Sequence, residues 1–207
     1  MTTAAPPRPA AVPAAPLFTP EELLQMPDGG KGYELIDGQL KEKVVSFRSS
    51  HVGACVVWVL ESYRRTVAPG WVCGSDNGFR CFAAHPGRVR KPDAAFFAYP
   101  RMTEEQYADE GFTLIAPDLV AEVVSPSNSA EEVDEKAKDW IQAGVQEVWV
   151  LHPKTRHLYV FRAGGGYAFL READTLTSPV LPGFSVPVAD LFRVPAPPPQ
   201  APAAGGE

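Results

Sequence analysis

The stretch Pro117–Ser129, PDLVAEVVSPSNS, sets an acid, Glu122, inside an otherwise apolar run. Side chains alternate along a strand, so Asp118, Val120, Glu122 and Val124 share one face, and Leu119, Ala121 and Val123 share the other. Apolar residues on both faces predict a central strand covered on each side. A carboxylate between two valines on such a strand is costly to bury unless something positive meets it. Asp118 cannot join Glu122 on one small cation. Four residues of strand hold them roughly 13 Å apart at about 3.3 Å per residue, whereas oxygen ligands sit about 2.0–2.6 Å from such an ion. The partner must come from another strand.

The segment that follows is a well-specified helix. In SAEEVDEKAKDWIQAGV, Ser129 caps the start, Glu132 three residues on completes a capping box, and Gly144 fits the residue just past the end. VQEVWVLHP, RHLYVFR and GYAFLRE then read as three strands, the last two a hairpin closed by Gly164–Gly166, and LPGFSVPVADLF closes the domain. Upstream, Thr19, Pro20 and Glu22 open a short capped helix, and YELIDGQLKEKVV reads as two strands joined at Asp37-Gly38. Between Ser49 and about Val67, the residues Val52, Cys55, Val56, Val59, Leu60 and Tyr63 recur at helical spacing. Short strands are expected around Trp71–Gly74, Phe79–Ala83 and Pro92–Ala98, then an acidic loop or helix from Thr103 to Gly111. Strands occur both in hairpins and beside helices, which predicts an α/β fold with a mixed central sheet flanked by helices.

Composition narrows the class. With 207 residues, 45% of them hydrophobic, the chain can core one domain, expected over 17–193. Residues 1–16 and 194–207 are rich in Pro and Ala and are expected to be disordered tails. Cys55, Cys73 and Cys81 form no C-x-x-C pair and read as buried thiols of a reducing compartment. With no secretory h-region and no stretch long enough to span a membrane, the protein is expected to be soluble and cytoplasmic. A formal charge of −6 argues against nonspecific coating of nucleic acid, so any contact with DNA must be local.

The acid that can meet Glu122 is Asp93 in RVRKPDAAFFAYP, at the start of a short apolar strand. Two carboxylates brought together at a sheet end repel each other and lose solvation, unless a divalent cation neutralises them. Mg²⁺ suits the place because it prefers oxygen ligands and commonly needs only one or two carboxylates. On the helix after Ser129, Val133, Ala137, Trp140 and Ile141 make the apolar stripe. Lys136 lies at the border of that stripe, whereas Lys138 points away. Lys136 is therefore the lysine able to lean toward the sheet, where its ammonium can orient an attacking water, help deprotonate it or stabilise charge on a phosphate.

Pro92-Asp93 followed by Glu122-Val123-Val124 resembles the PD-(D/E)xK nuclease superfamily. YELIDG, KPDAAFF, PDLVAEVVSPS, EKAKDWIQAGVQEVWVLHP and LPGFSV together resemble its Uma-two branch, over about Phe18 to Phe192. The resemblance implies a restriction-endonuclease-like fold and hydrolysis of DNA phosphodiester bonds with Mg²⁺ or Mn²⁺. It implies that Asp93, Glu122 and the Val123 carbonyl hold the metal, that Lys136 stands in for the superfamily's lysine, and that Glu34 completes the site. The chain departs from the superfamily pattern at Val124, where a lysine is usual. His51 matches a family histidine, and pairing of such nucleases on two strands makes a homodimer an expectation by analogy.

Each residue also has a plainer role to be weighed. Asp93 can be a strand cap, Glu122 half of a structural ion pair, Lys136 a snorkelling lysine, Glu34 a surface acid and His51 a helix-start residue making a local hydrogen bond. The RVRK run is expected to be a solvated loop or a phosphate contact, and Trp58, Trp140 and Trp149 core. The competing functional expectation is a catalytically inactive nuclease fold that binds nucleic acid or a protein partner. Hydrolysis of a small phosphate ester is a third.

Overall fold

The computed structural model describes residues 16–195. The expected tails lie outside the described residues except at their inner ends, residue 16 and residues 194–195. A short helix α1 (Pro20–Gln25) opens the chain under the expected Thr19–Glu22 capping box. The hairpin of β1 (Tyr33–Ile36) and β2 (Gln39–Glu42) follows. Asp37 and Gly38 both take positive φ at its turn, 49° and 80°, the conformation that a tight two-residue hairpin connection requires.

The long helix α2 spans Phe47–Thr66 and begins earlier than the apolar periodicity suggests, because Ser46 is the cap and Ser49 its third-residue partner. It leads to the main sheet: β3 (Gly70–Gly74), β4 (Ala94–Ala98), β5 (Leu119–Val123), β6 (Glu147–His152), β7 (His157–Arg162) and β8 (Tyr167–Arg171), in that spatial order. Every neighbouring pair is antiparallel except β5 and β6, which run parallel. Parallel neighbours need a crossover, and it is supplied by α4 (Ala130–Gln142), capped by Ser129 and Glu132 as its sequence predicts. A single turn, α3 (Glu104–Tyr107), lies in the acidic segment. The domain closes with the ribbon of β9 (Thr175–Thr177) and β10 (Ser185–Pro187) and the short α5 (Val188–Leu191).

The sheet has a core on each face. On one, Val52, Val56, Val59, Leu60 and Tyr63 of α2 pack over Phe96, Leu119, Ala121 and Trp149. On the other, Ala137 and Trp140 of α4 pack over Ala95, Phe97, Val120, Val148 and Val150, with Phe79 and Phe82 wedged against the indole. The expected strand at Phe79–Ala83 is not formed. Phe79 makes only isolated bridges, to Arg90 and Thr113, and the chain turns back at Phe82–His85 while both phenyl rings stay buried. Their apolar pattern therefore reports burial under Trp140 rather than a sheet ladder.

Three further expectations are corrected. Trp58 is 67% exposed, because it lies on the side of α2 opposite the Val52–Val56–Leu60 stripe. Trp140 and Trp149 are fully buried, as expected. The RVRK run is not a solvated loop. Arg88, Arg90 and Lys91 are buried, and Val89 exchanges two backbone hydrogen bonds with Leu35 of β1. Finally, the three cysteines are unpaired but half-buried, with burial pushing Cys73 up to about 12 and Cys81 to about 11.

Candidate active site

Antiparallel pairing sets Ala94 of β4 against Ala121 of β5, and just before β4 the Asp93 N–H donates to the Ala121 carbonyl at 3.0 Å. That bond holds Asp93 beside the end of β5. Two acids 29 positions apart in sequence therefore line one pocket, and the charge of Asp93 is felt at Glu122. The Asp93 carboxylate is fixed by the Val123 N–H at 2.6 Å and by the Lys43 ammonium at 3.2 Å.

Glu122 is buried and receives the Trp140 indole N–H on Oε1 at 2.8 Å. Its other oxygen lies 3.4 Å from Lys136 Nζ, which also bonds Glu34 Oε1 at 3.1 Å. Four positions on one helix turn explain the arrangement: Trp140 packs into the core, Lys136 one turn earlier lies above the end of β5, and both reach the same carboxylate. Lys138 is exposed. Glu34 is buried as well and accepts from the Lys91 N–H at 3.0 Å, with the Arg90 guanidinium 3.4 Å away.

The electrostatics distinguish the groups. Burial alone drives Glu34 upward, but the charges of Lys136, Arg90 and Lys43 and the Lys91 N–H outweigh it and hold the carboxyl below its ordinary range. For Glu122 burial wins: with Lys136 opposing and the charges of Asp93 and Glu34 adding repulsion, its carboxyl is pushed up. Burial pulls Lys136 down, yet the carboxylates of Glu122 and Glu34 more than compensate and its ammonium is held more firmly than a free lysine's. Lys136 is thus held as an ammonium between the two carboxylates.

The structure brings together Glu34, Asp93, Glu122, Val123 and Lys136 around one pocket of about 180 Å³. His51 is not among its lining residues; its Nε2 meets the carbonyl of Arg193 at 2.8 Å and, locally as expected, the Cys55 Sγ at 3.8 Å. Among the described residues no group of three or more His, Cys, Asp and Glu side chains is arranged to hold a metal. Asp93 and Glu122 on one pocket wall are nevertheless hard-oxygen donors of the kind that Mg²⁺ accepts with water completing its shell.

Two contributors were not anticipated from sequence. Lys43 neutralises Asp93, and its position was readable in principle: Glu34 pairs with Lys41 across the hairpin, so Lys43, two residues on, continues on that face. Arg90 braces the site from behind. It pairs with Glu34 and with Asp139 of α4, and Arg88 bonds the other Asp139 oxygen at 2.6 Å, so the buried RVRK run anchors the helix that carries Lys136. No local pattern announces this role, because the partners lie 49–56 residues away.

A six-stranded mixed sheet between helices, with acids meeting at the end of its central antiparallel pair, defines a nuclease-type α/β fold. Residues 20–189 match the Uma2 family, described as "Putative restriction endonuclease", and the chain belongs to that family. A solved structure from Anabaena variabilis, described as a "putative nuclease belonging to DUF820", superposes with a TM-score of 0.70 at 21% identity, covering 84% of this chain and 97% of that one. No curated protein matches the sequence. No helix among the described residues is long and apolar enough to cross a membrane.

Proposed function

We propose that the protein is a metal-dependent endonuclease that hydrolyses DNA phosphodiester bonds. The observation that carries this reading is the convergence of Asp93 and Glu122 on one pocket with the Lys136 ammonium against the Glu122 carboxylate. Asp93, Glu122 and the Val123 carbonyl would hold Mg²⁺ or Mn²⁺. Such an ion, when bound, supplies a Lewis acid to the phosphoryl group and lowers the pKa of its water.

The chain's own residues position and neutralise. Lys136, locked as an ammonium, is a fixed positive charge aimed into the pocket, suited to orienting a water and to stabilising negative charge that builds on phosphate oxygens. Glu34 stays ionised and holds Lys136 in place. Trp140 fixes one oxygen of Glu122, while the other, paired with Lys136, lies on the pocket that would take a ligand. Lys136 also supplies from a helix the cation that Val124 cannot supply from the strand.

Cleavage of supercoiled plasmid with Mg²⁺ tests the reading. Asp93→Ala and Glu122→Ala should each reduce nicking to background while the circular dichroism spectrum stays native. Wild-type rates in either variant would remove the assignment.

A second reading, a nuclease fold kept for binding nucleic acid or a protein partner, is favoured by one observation: Lys43 and Lys136 already neutralise the carboxylates without a metal. Thermal melting with millimolar Mn²⁺ separates the two. A ligand of the folded state raises the midpoint, and an unmoved midpoint together with intact plasmid would favour the binding protein.

A further inference from the structure

The α4 side of the sheet is only partly covered. The helix packs on β4, β5 and β6, and beyond it β7 and β8 present a row of rings. Register sets Tyr159 against Phe169 and Phe161 against Tyr167 on this face, while their neighbours Leu158, Val160, Ala168 and Leu170 point into the opposite core. The rings are mutually braced: Tyr159 and Phe169 centroids are 5.1 Å apart, His157 and Phe169 5.0 Å, and His152 and His157 are stacked at 4.5 Å. Tyr167 is 70% exposed and Phe169 41%. Large rings held rigid and left open to solvent are not explained by folding, since burial is what rewards an aromatic side chain.

Between this row and the start of α4 lies a groove of about 540 Å³, lined by His152, Tyr159, Phe161 and Tyr167 from the sheet. It is continuous with the carboxylate pocket, because Val124, Asn128 and Val133 line both. Beyond its rim the Arg171 guanidinium sits 5.6 Å over the Phe169 ring. Asp134 is the one acid in the groove.

We propose that this groove is a stacking platform for the unpaired bases of a DNA strand, leading them to or from the carboxylate pocket. The proposal rests on the nuclease reading above and names the form of its substrate. Three features point to this occupant rather than to an apolar peptide or a second copy of the chain. The rings offer π-faces, which any base can stack on; the Arg171 guanidinium stands beside them for a phosphate; and the path ends at the acids that would act on a phosphodiester. Paired bases have their faces occupied by their neighbours, so the platform selects unpaired ones.

The test is binding, measured in EDTA so that no strand is cut. Fluorescence anisotropy of labelled oligo(dT) is compared with that of an abasic strand of equal length and of a duplex, using the full-length protein. Wild-type protein should bind oligo(dT) more tightly than either. Tyr167→Ala and Phe169→Ala, both at exposed positions, should each weaken oligo(dT) binding about tenfold. Both should leave abasic binding unchanged, and Tyr167→Trp should preserve affinity for oligo(dT). Equal affinity for oligo(dT) and the abasic strand would overturn the platform, as would equal losses on both. Oligo(rU) bound in preference would overturn the DNA assignment. A Tyr167→Ala variant that binds oligo(dT) normally but sediments as monomer where the wild type is a dimer would give the face to self-association instead. Plasmid nicking by wild-type and Asp93→Ala protein, measured separately, shows whether the nuclease reading fails independently of the platform.

Discussion

Helices α2 and α4 cover opposite faces of the same sheet and do different physical jobs. The inward side of α2 is Val52, Val56, Val59, Leu60 and Tyr63, attached by burial with a single side-chain hydrogen bond, from the Tyr63 hydroxyl to the Pro182 carbonyl. The inward side of α4 is Ala137 and Trp140 flanked by charge: Asp139 is clamped by Arg88 and Arg90, and Lys136 is set between Glu34 and Glu122. Apolar contact is nondirectional and tolerates small shifts, whereas a buried charge is stable only against partners in one geometry. The side of the molecule held by charges is thus the side where atoms are placed well enough for chemistry, and it is also the side most damaged by losing one group.

The sharpest way to break this contrast is Lys136→Met. It strands two buried carboxylates, and removing one partner of a buried pair typically costs about 3–5 kcal/mol. Urea unfolding should show that loss together with loss of plasmid nicking, while Lys138→Met, at an exposed position on the same helix, should show neither. Equal effects from the two lysines would mean that α4 is held by its apolar stripe alone. On the other face, Leu60→Ala should cost about 2–5 kcal/mol by cavity formation, with nicking per folded molecule unchanged. Any fall in that specific activity would show that the two faces are not separable.

The pH dependence of stability sharpens the comparison further. Glu122 has a raised carboxyl in the folded state, so its ionisation opposes folding. In EDTA its contribution should fall as pH rises from the ordinary glutamate value, about 4.5, through its higher folded value. Glu122→Gln removes that cost and should gain on the wild type across this window, measured by melting midpoint at successive pH values. Glu34 acts in the other sense: its lowered carboxyl stabilises the fold above the ordinary value, a contribution lost as pH falls through the depressed one. Smallest is the cap of α4. Ser129→Ala should cost about 1 kcal/mol and leave Asp93 and Glu122 lining one pocket.

Much of this was legible along the chain. Capping boxes at Thr19 and Ser129, the Asp37-Gly38 turn and the alternation around Glu122 are local patterns, governed by residues three or four apart, and each appears as expected. The lean of Lys136 toward the sheet followed from helical geometry. Where expectation failed, the deciding contacts were distant. Phe79–Ala83 carries a strand-like composition but is held by Trp140, some 60 positions on, and the basic RVRK run is buried because Asp139 and Glu34 come to meet it. Trp58 misled in the opposite direction, since its large ring suggested burial although its position is opposite the apolar stripe of α2.

By itself the sequence determined most of the segments that become helix or strand and that Glu122 would need a partner, and it singled out Asp93 and Lys136 as the candidates. Only the tertiary structure decided that Lys43 and Arg90 join them, that Glu34 is pushed down while Glu122 is pushed up, and that a row of rings opens into the same pocket. The physical reason is range. Caps, turns and periodicity are set within one turn or one strand, whereas the energy of a buried charge or an exposed ring depends on what the rest of the chain brings beside it.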